Sequence, residues 1–267
     1  GISIGLILAR EFFHYINFEI LVSIIIIMSL IIKHKYENLM KVLAVIPARG
    51  GSKSIPLKNI KMLGGKPLLG YTIDEAKKSK YIDRLVVSTD HSKISELARS
   101  QDVEVITRPR HLATDKASTE SALIHVLDTL NNGYRPDYVV TLEPTSPLRT
   151  VGLIDRCIAK CISSDCDSVI TVKETRECLG RMDGDKYSYL IKGQPRRRQD
   201  REPLFFESGT VYVTKTEVLL NRNSVLGENI IGVVVDGDEA IDINTPADFA
   251  IAEAMLEWKR KEGEGND

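Results

Sequence analysis

From Lys41 onward, short apolar runs alternate with longer amphipathic stretches. Val42–Pro47 (VLAVIP), Arg84–Thr89 (RLVVST) and residues 138–142 (YVVTL), 168–172 (SVITV) and 230–235 (IIGVVV) are five such runs, rich in Val and Ile. Continuous apolar character, rather than strict alternation, suits strands covered on both faces. Between them lie helical patterns. In Thr119–Leu130, Leu123, Val126, Leu127 and Leu130 recur at helical spacing, and Thr245-Pro246 opens a final helix with a cap residue and a proline at the first position. The alternation predicts an α/β fold of three layers, doubly wound around a mainly parallel sheet.

Ligands of such folds bind where the strands end, at their carboxyl termini. That rule selects four segments: the loop after Pro47, Ser88-Thr89-Asp90, Glu143-Pro144-Thr145-Ser146, and residues 236–244. Residues 183–208 break the rhythm with Gly, Pro and a dense basic run, and are expected to form a small inserted arm. The domain is expected over residues 40–259, followed by a polar tail, 260–267.

The segment before Met40 has a different character. Its uncharged stretch, residues 20–32, would rise about 20 Å as a helix, short of the ~30 Å hydrocarbon core. Residues 1–39 therefore read as a non-native apolar extension outside the functional domain, with a membrane anchor as the alternative. No membrane partner is expected, and function is read from Met40 onward.

Charge narrows the classes further. The 267 residues carry 36 Lys and Arg against 37 Asp and Glu, a formal charge of −1, so no basic excess draws the chain to nucleic acid. Cys157, Cys161, Cys166 and Cys178 show no C-x-x-C pair and no His at ligand spacing. They read as reduced, structural thiols of a cytoplasmic protein rather than a zinc site or disulfide framework. His91, His111 and His125 lack metal-pair spacing and are expected to be structural.

The loop after the first strand is the most informative segment. Pro47-Ala48-Arg49-Gly50-Gly51-Ser52-Lys53-Ser54-Ile55-Pro56-Leu57-Lys58-Asn59 places two glycines, which let backbone N–H groups approach an anion, among three cations: Arg49, Lys53 and Lys58. The spacing matches neither G-x-x-x-x-G-K-[ST] nor G-x-G-x-x-G, which disfavours a P-loop NTPase and a Rossmann dehydrogenase. Three cations at a strand's carboxyl end point to a polyphosphate. Independently, the run Gln194 to Arg201 supplies guanidinium groups of the kind that grip a carboxylate bidentately.

The run A-R-G-G-S-K-S-I-P-L-K-N, continued by I-K-M-L-G-G-K-P-L-L-G-Y-T-I, resembles the opening of the acylneuraminate cytidylyltransferases, the CMP-sialic acid synthetases. More of that family's pattern follows in order: V-V-S-T-D (86–90), R-P-x-x-L-A-T-D-x-A-S (108–118), P-T-S-P-L-R-T (144–150), R-R-Q-D (197–200), S-G-T-V-Y (208–212) and I-D-I-N-T-P-x-D (241–248). The resemblance spans Met40 to Trp258. It implies a fold of the nucleotide-diphospho-sugar transferase type, with CTP and a nonulosonic acid as substrates. The anomeric hydroxyl of the acid would attack the α-phosphate, with Mg²⁺ (or Mn²⁺) assisting and a homodimer as the working form.

Carried over residue by residue, the resemblance implies Arg49, Lys58 and Asp242 as catalytic. It implies Arg49, Gly50, Gly51, Ser52, Lys53, Lys58, Asn59, Ser88, Arg108 and Asp115 around the nucleotide, the last two shaping its cytidine side. Glu143, Thr145, Ser146, Arg197, Gln199 and Ser208 would meet the acceptor, Arg197 through its carboxylate and often from the partner subunit. Asp242 and Asn244 would hold the metal. Period-two spacing points residues 242 and 244 to one side of an extended segment. Asn244 stands where the family commonly has Asp, and Glu143 where it has Gln, so Glu143 is expected to compensate at the metal. Ser54 replaces a usual Gly, and Phe206-Glu207-Ser208-Gly209 a more polar stretch, which leaves open whether the acid is sialic, legionaminic, pseudaminic or deaminated.

Overall fold

The computed structural model describes residues 20, 22–24, 26–28, 40–235 and 237–264. The chain divides into two units, Gly1–Met40 and Lys41–Asp267. In the first, the described residues are helical, with Ile20, Ile24, Ile26, Ile27 and Met28 exposed. The rest of the expected extension, Asp236 and the last three residues lie outside the described residues. No described helix is long and apolar enough to cross a membrane.

The second unit is built on a seven-stranded sheet. Its strands are β1 (Val42–Pro47), β4 (Arg84–Thr89), β5 (Glu104–Thr107), β6 (Tyr138–Thr141), β7 (Ser168–Thr175), β10 (Leu204–Lys215) and β11 (Ile230–Val234), in the order β11-β7-β10-β6-β1-β4-β5. Two hairpins lie outside it: β2 (Met62–Leu63) with β3 (Lys66–Pro67), and β8 (Gly180–Asp183) with β9 (Lys186–Tyr189). The helices are α1 (Leu68–Lys78), α2 (Ser92–Ser100), α3 (Thr119–Leu130), α4 (Val151–Ser164), α5 (Thr216–Arg222) and α6 (Pro246–Glu264).

The mainly parallel, helix-flanked sheet expected from the pattern is present. All pairings are parallel except those of β10, which runs antiparallel to both β6 and β7. Every residue of β1 is buried, as a strand covered on both faces requires. On one face Leu43 and Val45 meet Leu123, Val126, Leu127 and Leu130 of α3, and Leu219 of α5 joins the same cluster. A fully buried Leu or Ile contributes roughly 1.5–3 kcal/mol, so this face alone anchors the central strands.

Two features depart from the sequence expectation. β11 was expected to be covered on both faces; it is instead the sheet edge, with Ile230 39% and Val234 46% exposed. β10 carries none of the continuous apolar signal and is long and irregular. Its register with β7 shifts between Glu207↔Val172 and Tyr212↔Ile170, and Gly209 in the shift adopts φ +71°. A bulge of this kind re-aims side chains near the end of a strand. Of residues 183–208, the first seven lie at the β8–β9 hairpin and the last five begin β10.

Candidate active site

A cavity of about 360 Å³ opens at the carboxyl ends of the central strands. It is lined by the loop after β1 (Pro47, Arg49, Gly51, Ser52, Lys53, Ser54, Lys58, Asn59), by Arg108, by Ala117, Ser118 and Thr119 at the start of α3, by Glu143, Pro144 and Thr145 after β6, and by Asn244. Ten residues expected at the site from the sequence therefore share one wall system.

The loop is fixed from several directions. Asn59, buried in the 3₁₀ turn Lys58–Ile60, donates its amide to the Arg49 carbonyl at 3.0 Å. Leu57 just before that turn is left-handed at φ 49°, a conformation that costs a non-glycine residue roughly 1–3 kcal/mol and is tolerated where the surroundings over-determine it. The turn sends Lys58 inward, where its ammonium donates to the Ile243 carbonyl at 2.6 Å. Burial lowers the Lys58 pKa, and the nearby carboxylates of Asp242, Glu143 and Asp248 work against that shift.

Arg49 and Lys53 converge on one carboxylate. Asp115 accepts from Arg49 at 2.8 Å and from Lys53 at 2.9 Å, and these two hydrogen bonds hold its pKa low. Asp115 thus ties two cations of the loop after β1 together. The two glycines do not form the expected anion nest: neither has a positive φ, and the Gly50 N–H donates to Asp90 at 2.8 Å. Gly50 is glycine for another reason, since a Cβ there would lie 2.7 Å from the His91 ring.

Arg108 is 5% exposed and folds back onto Ser88, donating to its hydroxyl at 3.1 Å and its carbonyl at 3.0 Å. Ser88 is wholly buried. Arg108 therefore lines the cavity while Ser88 stands behind it as an orienting partner. Burial lowers the Arg108 pKa, opposed by Asp90 and Glu143.

Glu143 is the most perturbed acid. Burial pushes its carboxyl from 4.5 to about 7; Arg108 and Arg149 oppose the rise and Asp242 adds to it. Thr119 Oγ1 lies 3.5 Å from its Oε1. Arg149, 2% exposed, donates to the Glu143 carbonyl at 3.1 Å, to Thr72 Oγ1 at 2.7 Å and to the Thr210 carbonyl at 2.5 Å, so it knits the strand end to α1 and β10. Sequence reasoning passed over Arg149, although it lies inside the P-T-S-P-L-R-T motif. The start of α3 was also missed, yet Ser118, whose hydroxyl accepts from the Ser121 N–H, is a readable cap, and a helix N-terminus favours an anion.

Asp242 and Asn244 do share one side of their segment: Asn244 donates its amide to Asp242 Oδ2 at 2.6 Å. Ile243 between them donates its N–H to the Thr145 carbonyl at 2.9 Å, which locks the segment to the loop after β6. Asp248 is occupied in capping α6, accepting from the N–H groups of Asn244 and Thr245. Among the described residues no three His, Cys, Asp or Glu side chains gather into a cage. The Asp242 carboxylate and the Asn244 amide oxygen are hard oxygen donors of the kind Mg²⁺ takes, an ion that uses one or two protein carboxylates and completes its shell with water and substrate phosphates.

The remaining expected residues are elsewhere. Ser146 is buried, and its hydroxyl has no hydrogen-bond partner among the described residues. Ser208 is buried in the β10 irregularity, 3.2 Å from the Thr210 hydroxyl. Arg197 and Gln199 are exposed around the 3₁₀ turn Arg198–Asp200 and do not line this cavity. Cys157, Cys161 and Cys166 are buried and unlinked, in keeping with structural thiols.

The sequence matches the family profile described as "Cytidylyltransferase" over residues 43–224. The chain belongs to the cytidylyltransferase family. It is 31% identical over 217 residues to an N-acylneuraminate cytidylyltransferase of Streptococcus agalactiae, an alignment that covers 79% of this chain and 52% of that protein. The chain thus spans about half the length of the first curated cytidylyltransferases it matches. It is 32% identical over 236 residues to a CMP-N,N'-diacetyllegionaminic acid synthase of Legionella pneumophila, covering 83% of this chain and 99% of that one. In fold it is similar to a CMP:2-keto-3-deoxy-manno-octonic acid synthetase complexed with CTP, with a TM-score of 0.63 at 15% identity over 82% of this chain and 99% of that one.

Proposed function

We propose that this cytidylyltransferase transfers CMP from CTP to the anomeric hydroxyl of a nonulosonic acid, releasing pyrophosphate. The observation that carries the reading is the cavity itself, where Arg49, Lys53, Lys58 and the start of α3 converge at the strand ends beside Asp242 and Glu143. Transfers at phosphorus depend mostly on positioning and charge neutralisation, and this wall supplies both. Arg49 and Lys53 turn from Asp115 to the triphosphate, and Lys58 steadies the α-phosphate from its seat on Ile243. Arg108, held by Ser88, shapes the nucleotide side.

Asp242 and Asn244, with Glu143 alongside, would hold Mg²⁺ or Mn²⁺. The bound cation would neutralise charge on the phosphate oxygens. The pyrophosphate leaves as the anomeric oxygen bonds to phosphorus, and the hydroxyl proton passes to solvent or a nearby carboxylate.

The acceptor side falls to Arg197 and Gln199. Their absence from the lining of this cavity favours a homodimer in which each arm serves the partner's site. Exposed Met182, Tyr187, Tyr189, Leu190, Ile191, Phe205 and Phe206 give the arm region the apolar surface such an association needs.

The test is pyrophosphate release with CTP, Mg²⁺ and sialic, legionaminic, pseudaminic and deaminated acids in parallel. Release with one acid is the expected result and fixes the substrate. CTP binding with no release from any acid would favour a nucleotide-binding scaffold, a reading motivated by Asn244 in place of a second carboxylate.

A further inference from the structure

We infer that Arg201 is a positioning residue for the acceptor acid: its guanidinium braces the loop that carries Arg197 and Gln199. The inference rests on the proposal that Arg197 grips the acceptor carboxylate.

Between Pro195 and Pro203, Arg201 alone is half-buried; its neighbours are exposed. Its Nε donates to the Pro195 carbonyl at 2.9 Å, its Nη2 to the Arg196 carbonyl at 2.8 Å and its Nη1 to the Arg176 carbonyl at 2.7 Å. Arg176 answers in kind, donating from Nη1 to the Arg201 carbonyl at 2.6 Å, while its Nε is anchored on Glu174 at 2.8 Å. The loop is therefore clamped at both ends to the segment that leaves β7. Within the clamp, Asp200 N–H donates to the Arg197 carbonyl and Arg201 N–H to the Arg198 carbonyl, both at 3.2 Å.

The side chains divide accordingly. Arg176 and Arg201 face inward onto backbone, and Arg198 pairs with Glu177 at 3.2 Å. Among the described residues, the side chains of Arg197 and Gln199 make no hydrogen bond or ion pair and are left free on a backbone already fixed. A loop held in its binding shape spares the ordering cost on association. Three carbonyls in different directions need a guanidinium fork, and the single ammonium of Lys does not reproduce it.

The experiment compares Arg201→Lys, Arg201→Ala and Arg197→Ala in the full chain. It measures KM for the acid that turns over in the panel, KM for CTP, melting temperature, and amide exchange over residues 195–201. Both Arg201 variants are expected to raise the acid KM about tenfold, with the CTP KM within about twofold and exchange accelerated only in the loop. Arg197→Ala is expected to raise the acid KM without loosening the loop.

An acid KM untouched by both Arg201 variants while Arg197→Ala raises it overturns the positioning role. So does a loss in which both KM values and the melting temperature move together, the mark of a purely structural arginine. If Arg197→Ala leaves the acid KM unchanged, or no acid in the panel turns over, the carboxylate reading fails and this inference falls with it.

Discussion

Replacing Glu143 by Gln isolates the cost of charging a carboxyl inside the site. In the folded chain burial raises this carboxyl from 4.5 to about 7. The folded state then holds a proton that the unfolded chain has already lost between those values. Stability is fully present below about pH 4.5 and is lost as pH rises to about 7. At about 1.4 kcal/mol per pH unit, the full cost is roughly 3–4 kcal/mol, of which roughly 1–2 kcal/mol is incurred by pH 5.5.

Gln keeps the shape and the acceptor for Thr119 but cannot ionise. Between about pH 5.5 and pH 8 the wild-type chain should therefore lose about 2 kcal/mol more stability than Glu143→Gln. Urea unfolding at a series of pH values, with unchanged m, reads this from the midpoints. A stability gap that does not vary with pH, or a variant that is the weaker protein at pH 8, would falsify the argument that Glu143 is held neutral by burial.

Two further outcomes test the same wall. Arg149→Met removes hydrogen bonds to Thr210, Thr72 and Glu143 from a buried position, so unfolding should show a loss of about 3 kcal/mol, and the Glu143 titration should move further above about 7 because an opposing cation is gone. Asp115→Asn frees Arg49 and Lys53, so calorimetry at low ionic strength should find CTP bound up to about fivefold tighter, with the gain fading at high salt.

The apolar pattern was enough to locate the sheet's central strands, and the loops after them were enough to say which charged residues gather at its mouth. β1, β4 and β6 are legible because strands buried on both faces must be apolar throughout, and α3 because one helical face must meet them. That Arg49, Lys53, Lys58 and Asn244 would line one mouth of the sheet was legible because their loops follow the carboxyl ends of its strands, where ligands of such folds gather.

Tertiary structure alone decided the rest. β10 gives no continuous apolar run because its register shifts and Gly209 turns within it, so its antiparallel place between β6 and β7 is set by partners remote in sequence. β11 reads as a core strand, but the order of pairing leaves it at the edge. Gly50 looked like an anion cradle until His91 and Asp90 came beside it, and Asp115 meets Arg49 across 66 residues of chain. Hydrophobic pattern marks which segments become strands and helices. Which charges face one another is fixed only when distant loops are brought to the same end of the sheet.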